Sequence, residues 1–204
     1  MYTMPYYSSA NPEEVVAFMQ ANPFITLIGY DGMYPVATQV PVNIINEGNA
    51  LKLIGHVMTK TDHCKAFEMH PNVMAVFRGA HSYISASVYE KPAAASTWNY
   101  KTVQAKGIIR LLSQEQTYEI IKDITDKYED PHSSPSAFHK MDQEYIRKNL
   151  KAITGFEIMI CHISHVFKMS QDHSQKDRER IVEDLQQKED ALSHLMAEEM
   201  KHYV

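Results

Sequence analysis

The chain has 204 residues, of which 44% are hydrophobic and 22% are charged, and its formal net charge at pH 7 is −5. This length and balance are typical of one folded globular domain. The acidic charge, together with the lack of any run of Lys or Arg, argues against nucleic-acid binding as the main activity.

Two further features of the composition bear on where the protein works. Cys64 and Cys161 are the only cysteines of the chain, too few for a disulfide scaffold, so we expect reduced thiols. The N-terminal sequence has no basic segment followed by an apolar stretch, and no apolar run approaches the length that crosses a bilayer. The sequence therefore predicts a cytoplasmic protein with no membrane partner, folded as a single domain over residues 1–204.

The first third of the chain predicts a helix followed by antiparallel strands. Pro12, Glu13 and Glu14 follow Asn11 and suit the first turn of a helix. The strands are predicted at Phe24–Tyr30, Val36–Ile44 and Ala50–His56 from apolar runs and period-two alternation. Pro41 cannot donate to a strand ladder, so it predicts an edge or a bulge within the second strand.

The remaining elements alternate between helices and strands. We predict a short helix over Thr59–Met69, strands over Val73–Arg78, His81–Tyr89, Lys101–Leu112 and Phe156–Ile163, and helices over about Gln114–Tyr128 and Asp142–Leu150. Gly107 indicates a bulge or a close backbone approach, and the polar loop DPHSSPSAFHK is typical of a mobile flap. A C-terminal helical segment covers about residues 174–201, with an apolar stripe of Ile181, Leu185, Leu192, Leu195 and Met196.

Six or seven strands joined mostly by turns, with helices at the edges, predict a mainly β fold (α+β) built on a small antiparallel barrel. A barrel of this size fills its interior with its own side chains. A sizeable ligand must then bind outside the barrel, and a groove between two copies is the natural place.

Several common kinds of site are disfavoured by spacing. In CHISH, strand geometry points Cys161 and His165 to one face and His162 to the other, so the three cannot share a metal. The sequence contains no Gly-x-Ser-x-Gly elbow for a hydrolase. Its seven glycines are scattered singly, which excludes the glycine-rich phosphate loops of nucleotide-binding folds.

Phosphate binding by side chains remains open. The stretch GHVMTKTDHCK, residues 55–65, places hydroxyl and cationic groups where a strand gives way to a helix, and such groups can donate to a phosphate dianion. An ordinary solvated helix start explains the same residues equally simply. The candidates are His56, Thr59, Lys60, Thr61 and Lys65.

The stretch Phe77–Tyr100 carries five Ser and Thr hydroxyls and the chain's only Trp. Its end, TWNY, could be a plain interface cluster. Alternatively, an indole, an amide and a phenol, here Trp98, Asn99 and Tyr100, can frame an aromatic ring and satisfy its polar edge.

Taken together, these stretches resemble one protein family nearly end to end, from about Met4 to Met200. NPFITLIGYDGMYPVATQVPV, LKLIGHVM, FRGAHSYISASVYEKP, STWNY, AITGFEI and FKMSQD occur in the order of the motifs of the PaiB family. The resemblance implies the split-barrel fold of flavin reductases and pyridoxine-phosphate oxidases. It also implies a homodimer with an FMN site at the subunit interface.

The resemblance also implies which residues contact the flavin. Thr38 and the Thr59–Lys65 junction would face the phosphate and ribityl chain, and Trp98, Asn99 and Tyr100 would lie near the ring. Lys168, Ser170 and Gln171 would close the site. The chain departs from the family pattern at several positions; Thr61 and Asp62, for example, stand where an Asn-Pro pair is usual.

The resemblance leaves the activity open between two alternatives. The family is described as negative transcriptional regulators, and the acidic charge without a helix-turn-helix favours an indirect effect over direct DNA binding. The other alternative is a flavin reductase or a related oxidoreductase that uses NAD(P)H. FMN is the expected cofactor, with FAD or no retained flavin as the alternatives.

Overall fold

A computed structural model describes residues 4–9, 11–48 and 50–204 of the chain. Six strands and six α-helices make up the regular structure of this part. The strands are β1 (Phe24–Tyr30), β2 (Pro35–Glu47), β3 (Ala50–Met58), β4 (Asn72–Ile84), β5 (Thr97–Leu111) and β6 (Ile153–Lys168). The helices are α1 (Pro12–Ala21), α2 (Asp62–Met69), α3 (Gln114–Tyr128), α4 (Gln143–Leu150), α5 (Gln175–Gln187) and α6 (Ala191–Met200).

The six strands form one closed sheet in the order β1-β2-β3-β6-β5-β4. The pairs β1/β2, β1/β4, β2/β3 and β3/β6 are antiparallel. β2 pairs with β1 as far as Pro41, opposite Phe24, and pairs with β3 from Val42, opposite Gly55. The irregularity that Pro41 predicts is therefore the point where β2 changes partner strand.

The strand predicted in two pieces, Val73–Arg78 and His81–Tyr89, is instead the single strand β4, which ends at Ile84. A Cβ atom at Gly79 would lie 2.6 Å from Cε2 of Phe18. The glycine is therefore required by the close approach of an aromatic ring and does not mark a turn. At Gly107 the added Cβ would lie 2.3 Å from the carbonyl oxygen of Met159, which confirms the predicted close backbone approach.

The C-terminal helical segment is divided into α5 and α6. The division falls at Asp190, whose carboxylate accepts a 2.8 Å hydrogen bond from the backbone N–H of Ser193 and so caps α6. The predicted apolar stripe holds for Ile181, Leu185 and Met196, which are fully buried or nearly so, but Leu192 and Leu195 are 42% and 56% exposed. A helix that restarts at a new cap does not continue the periodicity of the previous one, which explains the difference.

Backbone contacts divide the chain into two compact units. Unit 1 contains the residues up to Met19, Arg78–Val103 and Ser164–Val204, and unit 2 contains Gln20–Phe77 and Gln104–Ile163. The core of unit 1 is a hydrophobic cluster that joins β4 to α5 and α6, with Ile84, Ala86, Tyr89, Met169, Ile181, Val182, Leu185, Met196, Ala197 and Met200 buried. In unit 2, the fully buried side chains include Ile25, Leu27, Leu53, Phe67, Phe77, Phe156 and Ile158.

The loop predicted as a flap, residues 130–140, is bonded within itself. The ammonium of Lys140 donates to the carbonyl oxygens of His132 and Ser134, at 3.3 and 2.8 Å. Phe138 is buried and meets the ring of Tyr118 edge-on at 5.2 Å. No helix in the part of the chain that the structure describes is both long and apolar enough to span a membrane.

Candidate functional site

The twelve residues singled out from the sequence divide equally between the two units. Unit 2 contains Thr38, His56, Thr59, Lys60, Thr61 and Lys65, and unit 1 contains Trp98, Asn99, Tyr100, Lys168, Ser170 and Gln171. Within each unit, the contacts of these side chains show which polar groups stabilise the fold and which are available to a ligand.

The junction of β3 and α2, residues 59–65, is organised by two threonines. The Thr61 hydroxyl donates to the carbonyl oxygen of Met58 at 2.7 Å and accepts from the backbone N–H of Cys64 at 3.3 Å, which makes Thr61 the N-cap of α2. This is why α2 begins at Asp62, three residues later than the sequence predicts. The hydroxyls of Thr59 and Thr154 are 2.9 Å apart and hydrogen-bond to each other across β3 and β6.

Two lysines at this junction have free ammonium groups. Lys60 and Lys65 are exposed, and neither ammonium has a hydrogen-bond or ion-pair partner among the described residues. Asp62 opposes them, since its carboxylate lies in the first turn of α2 and accepts from the backbone N–H of His63 at 2.7 Å. The junction therefore carries two positive charges, Lys60 and Lys65, and one negative charge, Asp62.

His56 is the member of this group that the fold surrounds most. It pairs across the sheet with Gly155, and a Cβ atom at Gly155 would lie 2.8 Å from Oγ1 of Thr117 and 3.0 Å from Ile120. His56 therefore lies on the sheet face that α3 covers, because directly paired residues share a face. Its Nδ1 is buried without a partner among the described residues, and burial lowers the pKa of the imidazole.

Thr38 belongs to a different strand pair from the strand that leads into the junction. It is on β2 opposite Leu27 of β1, in the half of β2 that does not pair with β3. Its side chain is partly exposed.

In unit 1, the buried side chains of Asn99 and Ser170 hydrogen-bond to each other. Asn99 is fully buried, and its amide nitrogen donates to the hydroxyl of Ser170 at 2.9 Å and to the sulfur of Met200 at 3.3 Å. Ser170, buried as well, has φ +59°, a left-handed conformation that non-glycine residues rarely adopt. The amide therefore holds the turn after β6 against α6, and its donors are occupied within the protein.

Gln171 and Lys168 also have partners within unit 1. The side chain of Gln171 accepts from the N–H of Met169 at 2.7 Å and donates to the carbonyl oxygen of Phe167. The ammonium of Lys168 donates to the Thr97 hydroxyl and lies 5.5 Å from the ring centre of Tyr7. Tyr100 is partly exposed on β5.

Trp98 differs from its neighbours because it is 54% exposed. Its ring lies 6.0 Å from that of Tyr83 and 6.3 Å from that of His81, centre to centre. These three rings line a cavity of about 310 Å³ in unit 1. Trp98 is thus the most exposed of the three predicted ring-contacting residues, and its side chain presents an aromatic surface that a flat ligand could reach.

The five Ser and Thr hydroxyls of Phe77–Tyr100 all have partners within unit 1. The Ser82 hydroxyl lies 2.8 Å from that of Ser193, and Ser85 accepts from the N–H of Ser87. The Ser96 hydroxyl accepts from the backbone N–H of Ala86 at 3.0 Å, while Thr97 accepts from Lys168 as described. These hydroxyls shape the turn between β4 and β5, so their number is explained without a ligand.

One groove in unit 2 was missed at the sequence level. Its volume is about 550 Å³, and it is lined by Ile28, Gly29, Tyr30, Asn72, Val73, Met74, Lys106, Gly107, Ile108 and Cys161. Ile108 is 51% exposed and Met159, on the neighbouring strand, 41%. The signal in the sequence was weak, since Ile108 is the one apolar residue among the outward positions 104, 106, 108 and 110 of β5. Among the described residues, no group of His, Cys, Asp or Glu could hold a metal ion.

Comparison with known families gives a match over most of the chain. Residues 1–162 match the family described as "Putative FMN-binding domain". A Bacillus subtilis (strain 168) protein, named protease synthase and sporulation protein PAI 2, is 30% identical over 201 residues, which is 98% of this chain and 97% of the relative.

Solved structures share the fold at low sequence identity. A flavocytochrome from Azotobacter vinelandii aligns with a TM-score of 0.62 and 17% identity, covering 82% of this chain and 72% of its own. An FAD- and heme-binding protein from Mycobacterium smegmatis aligns with a TM-score of 0.60 and 16% identity, covering 83% and 77%. These likenesses confirm the predicted fold class, the antiparallel split-barrel type.

Proposed function

The chain belongs to the FMN-binding domain family and is of the PaiB type, and from this premise we propose that it binds FMN, with the phosphate at the junction of β3 and α2. The observation that carries the proposal is the pair of exposed, unpartnered ammonium groups of Lys60 and Lys65 beside the start of a helix. A phosphate dianion is stabilised by two cations at this separation in sequence and by the positive end of the helix dipole.

The groups at the junction fit the polar tail of a flavin. The hydroxyls of Thr59 and Thr154 are exposed where they pair and can accept from or donate to a ribityl chain. Lys60 and Lys65 would neutralise the phosphate, while Asp62 would weaken the site. The isoalloxazine ring supplies the redox chemistry when bound, and the protein's share is binding and electrostatics.

Within unit 1 taken by itself, Trp98 is the residue that we propose as a contact for an aromatic ring. Asn99, Ser170 and Gln171 are proposed as supports of the turn after β6, because their polar groups already have partners in unit 1. This divides four of the six predicted residues of unit 1 by whether their side chains already have partners.

We further propose that two copies associate through unit 2. The exposed apolar side chains of Tyr30, Ile108 and Met159 lie on or beside the groove of about 550 Å³. A second copy of the same surface would remove these side chains from water, and closed twofold pairs are the commonest assemblies of soluble chains. The dimer would have twice the chain mass of 23.4 kDa.

The experiment is an FMN titration of the wild type and of the double variant K60A/K65A, followed by flavin fluorescence. The double variant should bind FMN at least about tenfold more weakly, since two charge-assisted contacts to phosphate are lost. Its unfolding midpoint in urea should equal that of the wild type, because neither ammonium has a partner in the fold. Riboflavin, which lacks the phosphate, should bind both proteins equally.

The matched control is K122A/K148A, which removes the same charge from α3 and α4 and should bind FMN as the wild type does. Equal FMN affinity of K60A/K65A and this control would rule out the junction as the phosphate site. Sedimentation equilibrium on the same samples measures the mass, and a monomer at all concentrations would refute the dimer.

The regulatory role belongs to the same proposal as an indirect effect of flavin state, because a net charge of −5 opposes attraction to DNA phosphates. NAD(P)H oxidation that depends on added FMN would assign the protein to the oxidoreductases instead. A salt-sensitive shift of one promoter fragment without turnover would indicate direct regulation.

A further inference from the structure

A second cavity, of about 340 Å³, lies in unit 1 beside the start of α5. It is lined by Tyr89, Glu90, Lys91 and Ala94 from the segment that precedes β5, and by His173, Ser174 and Asp177 from the segment that follows β6. None of these residues takes part in the flavin proposal. The volume is within the range of small-molecule pockets.

The unusual feature of this cavity is the hydroxyl of Tyr89. The residue is only 5% exposed, and its hydroxyl oxygen is buried with no hydrogen-bond partner among the described residues. Buried polar groups are nearly always paired, so an unpaired one in a cavity wall needs an explanation. The ring itself is held in place, with the His173 ring 4.6 Å away.

The charges around this hydroxyl are mainly negative. One oxygen of the Asp177 carboxylate accepts from the N–H of Glu90 at 2.8 Å, and the other lies 3.8 Å from Nδ1 of His173, too far for a hydrogen bond. Burial raises the pKa of Tyr89, and the nearby carboxylates of Asp172 and Asp177 raise it further. The phenol therefore remains neutral and can both donate and accept.

The other charged groups that line the cavity lie at its edge, where they are paired or exposed to solvent. Glu90 is exposed and paired at 2.6 Å with Lys176, so these two charges offset each other. Lys91 is exposed and screened by solvent. The cavity lining thus includes the Asp177 carboxylate and the residue with the unpaired hydroxyl, Tyr89, and the positive charges near Asp177 are the imidazole of His173 when protonated and the guanidinium of Arg180.

We propose that this cavity binds a small organic ammonium ion, whose N–H groups donate to the Asp177 carboxylate and to the Tyr89 hydroxyl oxygen. The rings of Tyr89 and His173 add a favourable surface for the cation. An anion of the same size would face Asp172 and Asp177 and is excluded by their charge. The inference is independent of the flavin proposal, because it uses different residues.

The test compares three ligands of similar size, butylammonium, 1-butanol and butyrate, each titrated into the full-length protein. Binding is followed by thermal unfolding and by ligand-observed NMR. Butylammonium should raise Tm in a saturable way, because a ligand that binds only the native state stabilises it. The neutral alcohol and the carboxylate should leave Tm unchanged. Absence of a butylammonium response, or equal responses to all three ligands, would refute the proposal.

The variants Y89F and D177N locate the site. Y89F without ligand should unfold at the same temperature as the wild type or about 2–4 °C higher, since it removes an unpaired buried hydroxyl. Both variants should bind butylammonium at least about tenfold more weakly, because each loses one of two polar contacts to the cation. Y145F, which changes an exposed tyrosine of α4, is the matched control and should behave as the wild type does.

The FMN titration of Y89F separates this inference from the flavin proposal. FMN affinity should be unchanged in Y89F, whether or not K60A/K65A weakens it. A lower Tm of Y89F with an intact butylammonium response would show that the hydroxyl is structural, and loss of the FMN response would show that the cavity belongs to the flavin site. Either result contradicts the inference.

Discussion

The turn between β4 and β5 and the junction between β3 and α2 look alike in sequence, since both are rich in hydroxyls next to a strand. In the turn, the Ser96 hydroxyl accepts from the N–H of Ala86, and the Ser85 hydroxyl accepts from the N–H of Ser87. At the junction, Thr61 caps a helix, but Lys60 and Lys65 have no partner among the described residues. The difference teaches that a hydroxyl near a strand end is usually needed by the backbone, whereas an unpaired ammonium is not.

The comparison can be tested by changing polar groups in each region and measuring stability and FMN affinity separately. Changes of the paired polar groups around the turn should affect stability only, and changes of the unpaired lysines at the junction should affect affinity only. A turn variant that changes FMN affinity, or a lysine variant at the junction that changes stability, would contradict the comparison.

The largest effect is expected for N99A. The substitution removes a fully buried amide and leaves the buried Ser170 hydroxyl without its partner, which should cost about 2–3 kcal/mol of unfolding free energy. Urea denaturation measures it, with N46A, at an exposed position on β2, as the control that should change little. A loss of FMN affinity in N99A without a loss of stability would show that this amide binds the ring after all.

A smaller effect is expected for S96A in the turn itself. The N–H of Ala86 loses its acceptor, so the free energy of unfolding should fall by about 1 kcal/mol while FMN affinity stays the same. S136A, which changes an exposed serine of the loop at residues 130–140, is the control. Equal stability of the two variants would mean that the Ser96 hydroxyl does not support the turn.

The smallest effect is expected for D62N at the junction. Removing the carboxylate from the first turn of α2 should tighten FMN binding about two- to fivefold, a gain of roughly 0.3–1 kcal/mol. The gain should shrink as salt is raised, because the interaction is exposed. D123N removes the same charge from the middle of α3 and should not change the affinity; weaker binding in D62N would mean that the phosphate lies elsewhere.

Much of the fold could be predicted from the sequence. The apolar runs and the period-two pattern predict β1 to the residue, while β2 and β3 run three and two residues further than predicted; Gln114–Tyr128 matches α3 in full. The misses have local causes: the break predicted between Arg78 and His81 is absent because Gly79 accommodates the ring of Phe18 within one strand, and the cap at Asp190 divides a segment whose leucines continue across it. A single sequence shows a glycine or an Asp, not the ring or the N–H that it meets.

The candidate site was harder to predict, because residue type does not reveal whether a polar group already has a partner. Asn99 and Trp98 are adjacent and were expected to act together, yet one is fully buried and the other is 54% exposed. Alternation along β5 separates them, and the strand begins at Thr97, earlier than the sequence predicts. Tyr89 carried no signal, since only its burial shows that its hydroxyl is unpaired.

The order in which the two units are completed during synthesis follows from the chain segments that form each of them. Unit 2 is complete once Ile163 has been synthesised, whereas unit 1 combines the residues up to Met19 with a last segment that runs to Val204. Ile84 and Tyr89 must wait for Ile181, Leu185 and Met196 to cover them. During synthesis the early apolar side chains of unit 1 therefore remain exposed to water, and to chaperones, longer than those of unit 2.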